Sequence, residues 1–212
     1  MKVGILGGGQ LGRMLLQAAA NYDVTTYVLE NDAHCPAAHL CHHFTLGNIQ
    51  DFDSVYNFGK QLDALTIEIE SVNVEALEKL EQEGVKVYPT PAAIRIIKNK
   101  ILQKQFYQNN EIPTSEFHIT QNQTDVLQHI SFLPAVHKLG EGGYDGKGVQ
   151  IINSEKEIEL GFNAPAVLER KVAIAKEIAL IVGMNAEGKT IIYPPAEMIF
   201  DPVYNLLDYQ LS

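Results

Sequence analysis

His137-Lys138-Leu139-Gly140-Glu141-Gly142-Gly143-Tyr144-Asp145-Gly146-Lys147-Gly148-Val149-Gln150 joins an apolar strand ending in lysine to a second strand through a glycine-rich loop. Glycines let backbone N–H groups converge on phosphate oxygens without a Cβ in the way, and lysines neutralise the charge. The stretch reads as a lid over a nucleotide triphosphate. It is not a Walker loop, because no G-K-[ST] opens a helix here. A plain β-hairpin turn is the alternative. Tyr144 and Asp145 argue against it, since a connector needs no large side chain at its tip.

Working outward, the 212 residues suit one or two domains with a sizeable core. A hydrophobic content of 46% with 20% charged residues is that of an ordinary globular chain. No apolar run is long enough to span a bilayer, and Met1 leads straight into a strand with no signal-peptide pattern. Two cysteines without a secretory signal point to a reduced cytoplasm. The net charge of −10 disfavours nucleic-acid binding. Residues 91–150 form the one non-acidic stretch, with six basic and five acidic side chains. An anionic ligand belongs there, although a solvated helix face would also explain Lys98 to Lys104.

The amino-terminal part alternates strands with helices. Apolar runs at 2–7, 24–29, 64–69 and 85–88 enclose helical patterns ending near Ala20 and spanning Ser54–Lys60 and Val74–Glu83. Such alternation implies right-handed crossovers and a doubly wound parallel sheet over residues 1–92. A helical connection over 93–115 carries helices at Ala92–Lys98 and Lys100–Asn109. An α+β unit over 116–182 then has strands at Glu116–Ile119, Pro134–Lys138, Val149–Asn153 and Ala166–Arg170, with a helix over Thr124–Ile130. Residues 183–212 begin a further sheet, in which Glu177–Val182 pairs with Thr190–Tyr193 and Ala196–Phe200 continues it.

Gly7-x-Gly9-x-x-Gly12 follows a strand and opens a helix, with Glu30 at the end of the next strand. This pattern admits a dinucleotide, but the helix N-terminus is an anion site whatever the ligand. Glu68 and Glu70 end a strand on one side of it and could take a ribose or amine. Glu169-Arg170-Lys171-Val172 could pass an adenine as a hinge, and Glu177 could take ribose hydroxyls. The cluster His34, Cys35, His39, Cys41, His42 and His43 matches no trusted zinc spacing.

Together, G-G-G-Q-L-G-R-M from Gly7, E-I-E from Glu68 and G-G-Y-D-G-K-G from Gly142 resemble the ATP-grasp superfamily, within it the N5-carboxyaminoimidazole ribonucleotide synthetases. The resemblance runs from Met1 to Ser212. It implies a pre-ATP-grasp domain, an ATP-grasp lid and the first strands of a catalytic sheet. It implies a carbon–nitrogen ligase of purine biosynthesis in which ATP phosphorylates bicarbonate to carboxyphosphate. The CO2 so released carboxylates 5-aminoimidazole ribonucleotide. By position, Lys100 and Lys138 would hold ATP phosphates under a lid containing Gly142, Gly143, Gly146 and Gly148. Glu169, Lys171 and Val172 would sit at the adenine and Glu177 at the ribose. Gln10, Leu11, Glu68 and Glu70 would bind substrate, with Tyr144, Asp145 and Lys147 as the catalytic group.

Lys100 and Lys147 stand where many relatives have arginine; lysine keeps the charge and loses the bidentate fork. Phe200 stands where many have histidine. The family also continues past Ser212 with its magnesium-binding acids. The 212 residues alone are therefore expected to be inactive, with exposed strand edges, and self-association or disorder beyond about residue 185. A longer chain would be a homodimer, as relatives are. The rival readings are an NAD(P)-binding oxidoreductase and a non-catalytic nucleotide-binding module. The first leaves the lid loop without a purpose.

Overall fold

A computed structural model describes residues 1–143, 148–201, 203–204 and 206–211. The chain divides into two compact units, Met1–Arg170 and Lys171–Ser212. In the first, strands β1 (Lys2–Leu6), β2 (Thr25–Glu30), β3 (His43–Leu46), β4 (Ala64–Ile67) and β5 (Lys86–Tyr88) form one sheet. Its order is β3-β2-β1-β4-β5, and every pairing is parallel. The strand order reverses at β1 and β4, so the carboxyl ends of these two strands flank the crevice where open α/β sheets bind ligands.

Helices α1 (Gln10–Ala19), α2 (Phe52–Gly59) and α3 (Val74–Gln82) make the crossovers. Asp51 and Asn73 cap α2 and α3 by accepting from Ser54 and Ala76 amides. Successive strand residues enter different cores: Leu6 and Leu29 join Val55, Leu65, Leu77 and Leu80, while Ile5 and Val28 join Leu16, Cys35 and Ala37. Burial on both faces is what a parallel sheet requires. Strand β3 has no such signature: three of its four residues are exposed, and it is held by pairing to β2. The histidine cluster is also structural. His42 Nδ1 accepts from the Thr26 amide at 3.1 Å, and His43 stacks on Tyr27 with ring centroids 4.5 Å apart.

Helices α4 (Pro91–Lys98) and α5 (Lys100–Asn109) meet at Asn99, whose side chain accepts from the Ile101 and Leu102 amides. Beyond them, β6 (Phe117–Thr120), β7 (Ala135–Leu139), β8 (Val149–Ile152) and β9 (Ala166–Arg170) form an antiparallel sheet of order β6-β9-β7-β8. The helix expected over Thr124–Ile130 is instead a 3-10 segment, Gln123–Phe132, interrupted by non-helical geometry at His129. Its tight turns drop Val126 and Phe132 into the core.

The second unit has two sheets. Strands β10 (Glu177–Ala179), β13 (Ala196–Phe200) and β14 (Leu207–Leu211) are antiparallel in the order β10-β13-β14, while β11 (Val182–Met184) pairs with β12 (Thr190–Ile192). The run Glu177–Val182 is thus not one strand. Its first half pairs with β13 and its end with β12. Three strands lie beyond residue 185, where the sequence suggests self-association or disorder.

His137 organises the core of the second sheet of the first unit. Its Nδ1 accepts from the Phe162 amide at 3.2 Å, so Nε2–H donates to Thr120 Oγ1 at 2.8 Å, and that hydroxyl donates to the Ala166 carbonyl at 3.3 Å. Burial holds this imidazole below its ordinary pKa. In the unfolded chain it takes up a proton near pH 6.5, and in the fold it resists until lower pH, so stability is lost as pH falls through that window. Denaturant unfolding is therefore expected to show falling stability from pH 7 to pH 5, with a shallower slope in His137→Leu. Leu77→Ala, at a site with no exposure, should destabilise the first unit by about 2–5 kcal/mol in the same assay.

Candidate functional site

The glycine turn after β1 is filled by the protein itself. Helix α1 begins without a side-chain cap from Gly9, and Gly9 N–H instead donates to Glu68 Oε2 at 3.3 Å. Gly8 N–H donates to Glu30 Oε2 at 2.9 Å. A Cβ at Gly9 would lie 2.6 Å from Glu68 Oε1, so only glycine admits this approach. The anion expected at the helix N-terminus is a pair of protein carboxylates. A dinucleotide pyrophosphate would meet two negative charges and amides already committed, which removes the sequence basis of the NAD(P) reading.

The two acids after β4 therefore separate. Glu68 turns onto the glycine turn, while exposed Glu70 lines a cleft of about 470 Å³. Lys98, Lys100, Glu141, Gly142 and Gly143 share that cleft. Asn99 builds the wall between helices and loop. Besides capping α5, it donates from Nδ2 to Glu141 Oε1 at 2.8 Å, and the Lys100 amide donates to the Gly140 carbonyl at 2.8 Å. The Lys98 ammonium donates to the Val72 carbonyl at 2.6 Å. The loop departs from paired β7 and β8. Gly148 has φ +85°, and a Cβ there would meet Gly143 Cα at 2.8 Å, so the two arms of the loop can close only on glycine.

A second cluster lies on the sheet that carries the loop. Lys138 and Glu169 occupy adjacent strands, and Lys138 Nζ donates to Glu169 Oε2 at 2.9 Å. Lys104, from α5, reaches Glu169 Oε1 at 3.3 Å, and Ser115 Oγ donates to Oε2 at 3.1 Å. Burial alone would raise the Glu169 pKa. The hydrogen bond and charge of Lys138, with Lys104 behind it, outweigh that and hold it below the usual glutamate value.

The structure thus gathers Glu70, Lys100, Gly142 and Gly143 at one cleft, and Lys138 with Glu169 at a buried ion cluster. Gln10 and Leu11 are exposed at the start of α1, beside the glycine turn. Tyr144, Asp145, Gly146 and Lys147 lie outside the described residues. In the second unit, Lys171 and Val172 are exposed in an irregular segment, and Glu177 opens β10 opposite Met198. Sequence reasoning missed Asn99, Ser115 and Lys104 as site builders. Lys104 falls three residues after Ile101 on the inward face of α5, where the spacing calls for an apolar residue, and it is the buried residue of that helix. A lysine at a core position was the available signal.

Among the described residues, no three histidines, cysteines, aspartates or glutamates come together to hold a metal. Glu30 and Glu68 are committed to backbone amides and Glu169 to two lysines. No helix among them is long and apolar enough to cross a membrane.

Comparison with known proteins accords with this geometry. Residues 1–98 match the model of the ribonucleotide synthetase preATP-grasp domain, and residues 105–205 match that of the ATP-grasp domain. The chain is 35% identical over 206 residues to the chloroplastic phosphoribosylaminoimidazole carboxylase of Vigna aconitifolia, covering 92% of this chain and 36% of that protein. It superposes on N5-carboxyaminoimidazole ribonucleotide synthetase from Thermotoga maritima with a TM-score of 0.85 and 33% identity, over 93% of this chain and 53% of that one. It superposes on the Aspergillus clavatus N5-carboxyaminoimidazole synthase, solved with ADP and 5-aminoimidazole ribonucleotide, with a TM-score of 0.82 and 28% identity, over 95% and 54%. The chain spans about half the length of these solved relatives and about a third of the plant protein. A parallel sheet, an antiparallel sheet bearing a glycine loop, and sequence likeness along both halves show that this chain carries a ribonucleotide synthetase preATP-grasp domain followed by an ATP-grasp domain.

Proposed function

We propose that the chain serves the ATP- and bicarbonate-dependent carboxylation of 5-aminoimidazole ribonucleotide, supplying nucleotide and ribonucleotide recognition. The observation that carries this reading is the single cleft shared by the glycine loop, Lys98, Lys100 and Glu70. Its lysines suit phosphate oxygens, and its Glu70 carboxylate suits an amine or ribose hydroxyl. The relative from Aspergillus clavatus was solved with the corresponding pair of ligands, ADP and 5-aminoimidazole ribonucleotide.

In the reaction a bicarbonate oxygen attacks the γ-phosphorus and ADP leaves, giving carboxyphosphate. Carboxyphosphate breaks down to CO2 and phosphate, and the exocyclic amine takes up the CO2 with loss of a proton. Little covalent work falls to the protein, which contributes positioning, charge neutralisation and exclusion of water. Lys100 and Lys138 are proposed to neutralise phosphates. The loop containing Gly142, Gly143, Gly146 and Gly148 closes above them. Glu169, Lys171 and Val172 meet the adenine, and Glu177 the ribose. Glu70, Gln10 and Leu11 face the ribonucleotide, with Glu68 holding the glycine turn beside them and Tyr144, Asp145 and Lys147 acting from the loop. Magnesium is the metal the family implies. We further propose a cytoplasmic setting and a homodimer.

Thermal denaturation with MgATP at a hundredfold excess over Kd should raise Tm by roughly 5–10 °C, while NADH should leave it unchanged. A response to NADH alone would reverse the assignment. Calorimetric titration of the MgATP-bound chain with 5-aminoimidazole ribonucleotide should give saturable binding, weakened roughly tenfold in Glu70→Ala. Absence of ribonucleotide binding in the unaltered chain would sink the substrate reading.

A further inference from the structure

Three side chains meet below the glycine loop, and they are unequally buried. Side-chain exposure is 8% for Lys104, 11% for Glu169 and 30% for Lys138. The Lys104 ammonium has three oxygen partners: Glu169 Oε1 at 3.3 Å, Thr114 Oγ1 at 2.5 Å and Ser115 Oγ at 3.4 Å. The Phe117 ring lies 5.6 Å away and completes its surroundings. Each carboxylate oxygen of Glu169 thus answers to a different lysine, with the Ser115 hydroxyl added on the Lys138 side.

We infer that Lys104 is a positioning residue for the nucleotide site, a fixed counter-ion that keeps Glu169 in place so that Lys138 can leave it for a phosphate. The inference rests on the nucleotide reading of Lys138 given above. Lys138 is the one member with substantial access to solvent, and its strand feeds the loop. When it turns to a phosphate, Glu169 retains Lys104 on Oε1 and Ser115 on Oε2. Without Lys104, the same movement would strand a buried carboxylate with no cation, an arrangement that proteins escape by holding the remaining partner or by taking up a proton. Among the described residues, the charges on Glu169 come from α5 and β7. Arg170, next along β9, points to the opposite face and pairs with Glu116 at 2.9 Å. The depressed Glu169 pKa, to which both lysines contribute, accords with this division of labour.

The test is MgATP affinity by calorimetry at pH 8 and pH 5.5, on the whole chain and on Lys104→Met, Lys104→Arg and the double variant Lys104→Met with Glu169→Gln. At pH 8, Lys104→Met should bind MgATP roughly tenfold more weakly or worse, because Glu169 now holds Lys138. The deficit should narrow at pH 5.5 as Glu169 takes up a proton. Lys104→Arg should restore affinity, and the double variant, whatever it loses at the adenine, should bind MgATP equally at both pH values. A merely structural lysine would give none of this pH-dependent rescue. Equal affinity of Lys104→Met and the unaltered chain at both pH values overturns the inference alone. Failure of the unaltered chain to bind MgATP overturns the nucleotide reading and the inference with it. Ligand-free carbon-13 titration of the Glu169 carboxyl adds an independent arm. Its midpoint should rise in Lys104→Met, and an unmoved midpoint counts against the role. If Lys104→Met does not fold, Lys104→Gln, which keeps the hydroxyl contacts without the charge, takes its place in each arm.

Discussion

A carboxylate cannot sit ionised inside a protein without cations and hydrogen bonds to replace water, and Glu169 sits there on the middle strand of its trio. β9 is paired to β6 on one side and β7 on the other, so its end is buried by the sheet itself. Everything around that end follows from the need to neutralise it. Helix α5 contributes Lys104 from the core side, β7 contributes Lys138 from the solvent side, and the approach to β6 contributes Ser115. The helix connecting the two sheets is thereby tied to the strand pair that carries the glycine loop.

The amino-terminal sheet solves the opposite problem. A turn with free amides at a helix N-terminus attracts negative charge, and in dinucleotide-binding folds the ligand supplies it. Here Glu30 and Glu68 supply it from the ends of β2 and β4. One backbone form, with the same glycine spacing, is turned from a ligand site into a structural joint. The neighbouring cleft, lined by Glu70, Lys98 and Lys100, stays open beside it.

Most of the framework was legible from residue pattern. Continuous apolar runs located β1, β2, β4 and β5, and helical patterns between them located the crossovers. Strand β3 was not legible, because an edge strand with exposed side chains has no burial pattern to show and exists only through its ladder to β2. The division of Glu177–Val182 between two sheets was hidden for a related reason. Alternation records that a segment is extended, and says nothing about which strand it pairs with.

The sequence by itself determined the strand and helix order, the glycine loop between two strands, and the residue types from which a phosphate site is made. Those are local properties, set by side-chain spacing and backbone freedom. Only the tertiary structure decided that Glu68 and Glu70 serve different ends, that Lys104 is buried against Glu169 rather than solvated on a helix face, and that Asn99 joins the helices to the loop. Each of these is a contact between residues far apart in the chain. Pairing across such distances is set by how whole sheets and helices stack, which no local window of sequence contains.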